Sequence, residues 1–252
     1  MPDPEVDESP ENVPNADDQD TDKPIEKESP IAPRARFGPT RTSLGDYGSS
    51  GDRDSLRRGV GRYVGGGLGG AGTAVRRFGG TAANASALYG ALGGTSSGSS
   101  VEVDRTLLAG KSARQIIDTV IETVCPVDGS QDTESSRNAI NDALTELVKR
   151  HPDVDILELS EEQREFVVES YVSMDVYRRF VLDVGNAIRE KAPNASTALS
   201  RLKQAREYIR EHIVASFQKL RGKGQRLSGS RVSRVVNQAL QEAFEVFAGY
   251  AE

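Results

Sequence analysis

Arg53 and Arg57 stand four residues apart, Arg58 and Arg62 repeat that spacing, and Arg76 and Arg77 follow. On a helix, residues i and i+4 share a face, so the first four form two adjacent stripes of guanidinium groups. A guanidinium fork donates two parallel hydrogen bonds to a carboxylate or a phosphate, and the stripes are a candidate surface for either. Tyr63 and Phe78 lie beside them in sequence and would add stacking faces for a nucleic acid. A protein partner bearing acidic helices is the leading expectation and nucleic acid the alternative. A third reading has the acidic leader of this chain fold back onto the arginines.

Other residues invite chemistry and fail on context. Gly67-Leu-Gly-Gly-Ala-Gly72 matches the dinucleotide pattern G-x-G-x-x-G, but that pattern works only between a strand and a helix, and an Arg-rich helical stretch precedes it. Gly110-Lys-Ser112 resembles the end of a phosphate-binding loop, yet position 105 is Arg105 where a glycine is required. Ser112 and Gln115 instead read as a capping box. His151-Pro-Asp153 copies the J-domain tripeptide, but the helix before it carries Glu134, Asp142 and Glu146 where a basic helix is needed. Cys125 is the only cysteine and has acidic neighbours, Glu122 and Asp128, which oppose a reactive thiolate. His212 reads as a partly exposed helix residue. The acid pairs Glu161–Glu162 and Asp153–Asp155 sit in cap and loop contexts. With two histidines and one cysteine, the sequence predicts no enzyme, no cofactor and no metal site.

The elements that must carry the arginines fall into three compositional blocks. Residues 1–33 hold eleven acids against Lys23 and Lys27, net −9, and are expected to be a disordered acidic tail. Residues 34–80 hold nine arginines against three aspartates, net +6, and 18 of the 25 glycines lie between Gly38 and Gly98. In the block 34–100, residues 34–50 read as loop because Gly38, Pro39, Gly45 and Gly48 are breakers. Asp52 then caps a helix over 53–64, residues 65–72 form a flexible break, a second helix covers 73–92, and 93–100 is a linker. The small residues Gly69, Gly70, Ala74, Ala82 and Ala85 would let this segment pack closely on the rest of the chain or on a partner.

The block 101–252 is an all-α domain with five main helices. Ser112 opens one that Pro126 ends, and the next runs over 133–150. Ser160 and Gln163 form a second capping box for a long helix closed by Pro193. Leu199, Leu202, Ile209, Ile213, Phe217 and Leu220 mark the fourth, and Val232 to Phe247 the fifth. The fold class is thus an all-α helical bundle behind a Gly/Arg-rich helical segment. No run of about 20 large apolar residues spans a bilayer, and the acidic start is no secretory signal, so a cytoplasmic protein with no membrane partner is expected.

Seven ordered stretches carry a resemblance. They are Arg53-Asp-Ser-Leu-Arg-Arg-Gly-Val-Gly-Arg-Tyr-Val64, Gly69-Gly-Ala-Gly-Thr-Ala-Val-Arg-Arg-Phe-Gly-Gly-Thr-Ala82, Ala87-Leu-Tyr-Gly-Ala-Leu92, Pro126-Val-Asp-Gly-Ser-Gln-Asp132, Leu159-Ser-Glu-Glu-Gln-Arg-Glu-Phe166, Asp175-Val-Tyr-Arg-Arg-Phe180 and Glu242-Ala-Phe-Glu-Val-Phe247. Over residues 34–252 the chain resembles QatB proteins of the bacterial Qat anti-phage defence system. That resemblance implies a non-catalytic scaffold or adaptor working with a QueC-like enzyme, an ATPase and a TatD-like nuclease. It also makes the chain a candidate protein substrate of the QueC-like partner, which would join a deazaguanine carboxyl to a free N-terminal glycine. Family members begin Met-Gly-Thr-Ser, whereas this chain begins Met1-Pro2 and shows no such glycine, so the substrate role stands as the third and weakest of the readings. In the alternative reading, the segment 53–77 presents DNA to the nuclease.

Overall fold

The computed structural model describes residues 35–93 and 103–251. Among them are nine α-helices: α1 (Gly38–Ser50), α2 (Arg53–Arg62), α3 (Ala71–Arg77), α4 (Gly79–Ala91), α5 (Ala113–Val124), α6 (Gln131–Arg150), α7 (Glu161–Lys191), α8 (Ala195–Gly222) and α9 (Val232–Ala248). The described residues form no strand, only an isolated bridge between Gly93 and Glu158. The all-α class is therefore as the sequence predicts. The acidic tail 1–33 and most of the linker 93–100 lie outside the described residues.

The start signals of the later helices act as their residue types dictate. Ser112 and Gln115 exchange side-chain and backbone bonds at the head of α5, and Ser160 and Gln163 do the same for α7. Each box satisfies two amides that the first helical turn leaves unpaired. Asn194 caps α8 through the Thr197 amide at 2.8 Å, and Pro193 separates it from α7. His151 is simply the residue that closes α6, its amide donating to the Leu147 carbonyl.

The N-terminal third differs from expectation in two places. Residues 38–50 are helix α1, not loop, because Pro39 and Gly48, read as breakers, each have a use there. Pro39 occupies the first turn, where a missing amide costs nothing. Gly48 brings α1 onto α7 so closely that a Cβ would lie 2.6 Å from the Ile188 carbonyl oxygen. The predicted single helix 73–92 is two, α3 and α4, divided at Phe78, whose backbone leaves helical geometry (φ −93°, ψ 16°) as its ring enters the core. Between α2 and α3 the chain makes a π-helical turn, Tyr63–Gly67, and reverses at Gly69 and Gly70 (φ 82° and 88°), a conformation that favours glycine.

One core runs from Phe37 to Phe247 and includes buried residues of all nine helices. The central member is α7, about 46 Å long at 1.5 Å per residue, which packs against α1, α4, α6 and α8. Helix α9 covers α2, α3, α4 and α8. The Gly/Arg-rich segment therefore packs on its own chain: Leu44, Leu56, Val60, Ala74, Ala82, Ala85 and Leu88 are all buried. Leu199, placed on the apolar face of α8 by its spacing, is instead exposed (69%).

Along the α7–α8 seam, two carboxylates share one guanidinium. Arg221 donates to Glu165 at 2.7 Å and to Glu169 at 2.9 Å. Burial and the neighbouring Glu165 raise Glu169 from 4.5 to about 6, outweighing Arg221. A folded-state value above the unfolded one means the native chain binds the extra proton, so this group's contribution to stability falls as pH rises from 4.5 through 6. Urea denaturation across pH 4.5–6.5 should show that loss, up to about 2 kcal/mol, and Glu169→Gln should abolish it. Gly48→Ala should cost about 1–3 kcal/mol by overpacking. Gly72→Ala, in α3 with nothing within 4 Å of its Cβ, should be neutral or stabilising. Midpoints of urea unfolding at constant m check both.

Candidate functional site

Helix α2 starts where Asp52 accepts from the Ser55 amide and hydroxyl, both at 2.9 Å. This cap places Arg53 at the first helical position and Arg57 one turn later. Both line a groove of about 720 Å³ whose other wall is α8. From that wall come Arg201, Lys203, Gln204, Glu207, Tyr208 and Glu211. Tyr47 of α1 also lines the groove and ties it together, its one hydroxyl proton shared between Gln204 Oε1 at 2.9 Å and the Arg201 carbonyl at 3.1 Å. Burial raises the Tyr47 phenol above its ordinary value, with Arg201 and Arg53 pulling the other way.

The Arg201 guanidinium lies 5.8 Å from the Tyr47 ring centre and donates to the Ser50 carbonyl at 3.4 Å. It also lies against Gly51 (φ 75°), where a Cβ would come within 2.0 Å of the guanidinium carbon. Burial and the nearby Tyr250 push the Tyr208 phenol up to about 12, against the effect of Arg57. Arg57 itself reaches Asp54 at 3.5 Å and lies 5.8 Å from the Tyr250 ring centre. Among the described residues no ion pair engages Arg53, Arg201 or Lys203.

The remaining arginines of the sequence-predicted surface are dispersed. Arg62 is a strap, donating to Ser43 Oγ at 2.8 Å and to the Ala251 carbonyl at 3.4 Å. Half-buried Arg58 turns back to Ser55 Oγ at 3.1 Å. Arg76 and Arg77 are exposed at the α3–α4 corner, away from the groove lining. The expected stacking faces are not there. Tyr63 and Phe78 are each 2% exposed and belong to the core. Tyr63 stacks on Phe37, meets Phe180 edge-on and donates to Asp183 at 2.8 Å. Phe78 packs on Phe244. A ring enclosed in this way offers no face to a base.

What holds that corner is a polar network the sequence did not disclose. Asp175 of α7 is fully buried and accepts from Thr81 of α4 at 2.5 Å and from Ser136 of α6 at 2.9 Å. Arg179, one turn along, reaches Asp175 at 3.4 Å and Asp132 at 3.1 Å, donates to the Arg77 carbonyl at 3.3 Å and lies 4.9 Å from the Phe78 ring centre. Burial pushes the Asp175 carboxyl up, against the pull of Arg179 and both hydroxyls. Beside it, Asn84 donates to the buried Cys125 thiol at 3.3 Å, and burial raises that thiol, in line with the expectation of no reactive thiolate. Arg77, Phe78, Thr81, Asp132, Asp175 and Arg179 come from three of the stretches that resemble QatB.

Residues 69–247 match the family model for the Qat anti-phage system associated protein QatB. The chain belongs to the QatB family. No curated protein and no solved structure matches it. QatB family membership places the chain among the components of the Qat system. Among the described residues no group of three His, Cys, Asp or Glu is arranged to hold a metal ion, and no helix is long and apolar enough to cross a membrane.

The α8 wall escaped sequence reading because its residues are ordinary polar helix positions. Gln204, Tyr208 and Glu211 follow the i, i+4, i+7 spacing of one face, and only the approach of α2 makes that face a groove. For the network, Asp175→Asn removes a buried charge and leaves Arg179 without its enclosed partner, a change expected to cost about 3 kcal/mol. It should also open Cys125 to thiol reagents faster than in the unaltered chain. Unfolding midpoints and thiol-labelling rates measure the two effects.

Proposed function

We propose that this QatB-family chain is a non-catalytic docking subunit of the Qat system, acting in the cytoplasm as scaffold or adaptor for the QueC-like enzyme and, through it, for the ATPase and the TatD-like nuclease. The observation that carries this reading is the groove between α2 and α8. Arg53, Arg201 and Lys203 line it without a carboxylate partner among the described residues, on walls fixed by a packed core. Cations left unpaired suit recognition of a partner's acidic groups, and the packed helices beneath them fix the spacing from which they reach. The arginines would then set docking register by charge-assisted hydrogen bonds.

Direct binding of nucleic acid is the second reading. Arg76 and Arg77, exposed and without carboxylate partners among the described residues, favour it, while the burial of Tyr63 and Phe78 removes its stacking groups.

Co-expression of the full chain with its genomic neighbours, followed by affinity purification and intact-mass measurement, tests the docking reading. The neighbours should co-elute with the unaltered chain. Reversal of Arg53, Arg57, Arg76 and Arg77 to Glu should abolish co-elution at unchanged helix content. A lone unaltered chain, or a complex indifferent to the reversal, overturns it. A DNA affinity falling with salt at a log–log slope near −0.9 per phosphate would support the second reading instead. An N-terminal mass increment would add the role of protein substrate for the QueC-like enzyme.

A further inference from the structure

The same groove specifies more than a sign of charge. At one end are Arg201, whose guanidinium lies against Gly51, Arg53 two residues beyond that glycine, and Lys203 about 3 Å further along α8. Further along α8 are Glu207 and Glu211. Glu207 is held by Arg206 at 3.1 Å, whereas no ion pair engages Glu211 among the described residues. A nucleic acid would present phosphates along the whole groove, including to Glu207 and Glu211, and is disfavoured there.

We propose that the groove between α2 and α8 binds an extended segment of a partner protein that carries an acidic residue and, about four residues away, a basic one. From Arg201 to Glu211 the helix rises about 15 Å, which an extended chain covers in about four to five residues at 3.3 Å each. The acidic side chain sits among Arg53, Arg201 and Lys203, and the basic one at Glu211. This inference rests on the docking reading above and gives the partner's chemistry.

The test places a photo-crosslinking phenylalanine analogue at position 200, an exposed residue of the groove rim, in the full chain co-expressed with its genomic neighbours. The crosslinked partner peptide should contain Asp or Glu and Lys or Arg about four residues apart. Its yield should fall at least tenfold in an Arg201→Glu, Lys203→Glu double variant, and reversing the partner's acidic residue to Lys should restore it. Crosslinking to nucleic acid, to a second copy, to residues 1–33 or to a segment without that charge pair overturns the inference. So does a complex that forms without any crosslink from position 200, in which case the docking reading stands alone. If no neighbour co-elutes at all, both fall.

Discussion

A carboxylate removed from water must find compensation on every side, and Asp175 does so by recruiting three helices. Its two oxygens take hydroxyl protons from α4 and α6 while Arg179 of its own helix supplies the opposite charge. Hydroxyl and carboxylate geometry tolerates little displacement, so α4, α6 and α7 are fixed in register as well as in contact. Arg179 extends the same constraint outward. Its guanidinium covers Phe78 and holds the Arg77 carbonyl, so the break between α3 and α4 is pinned to the middle of the longest helix. Elsewhere the bundle packs chiefly by apolar area, with polar ties nearer the surface such as Arg221 to Glu165 and Glu169. Asp175 differs in having no exposure to solvent, so all of its compensation comes from these helices.

The later helices were legible because their signals are local. Ser112 with Gln115 and Ser160 with Gln163 announce helix starts within four residues, and the apolar spacing behind each needs no tertiary information. Helix α1 was not legible because Gly45 and Gly48 act through a helix some 140 residues away. Read locally, glycine means flexibility; against Ile188 it means proximity. Tyr63 and Phe78 went astray for a related reason, since an aromatic residue beside arginines looks like a stacking group until the core that encloses it is known. Half of the groove was visible as the Arg53–Arg57 stripe, and the other half lay in polar positions of α8 that only the fold brings opposite.

The arginines sort themselves by what they find within the chain. Arg62 and Arg179 are used internally, as strap and clamp, and their charge is spent on carbonyls, hydroxyls and aspartates. Arg201 is held by the Ser50 carbonyl and the Tyr47 ring, Arg53 stands exposed across from it, and both keep an unneutralised charge on the groove. Both members of the first group fall inside stretches that resemble QatB proteins, and those stretches also build the corner and core. The second group falls at and beyond the edges of those stretches.

Gly51 and Arg201 share one small space, the glycine holding a left-handed turn while the guanidinium lies flat where any other residue's first carbon would stand. A side chain at 51 would strain the left-handed backbone and push the guanidinium, the flexible end of Arg201, off its seat. One of the groove's cations would then move without being lost. The glycine thus decides where that charge stands, and the arginine alone decides that it is there.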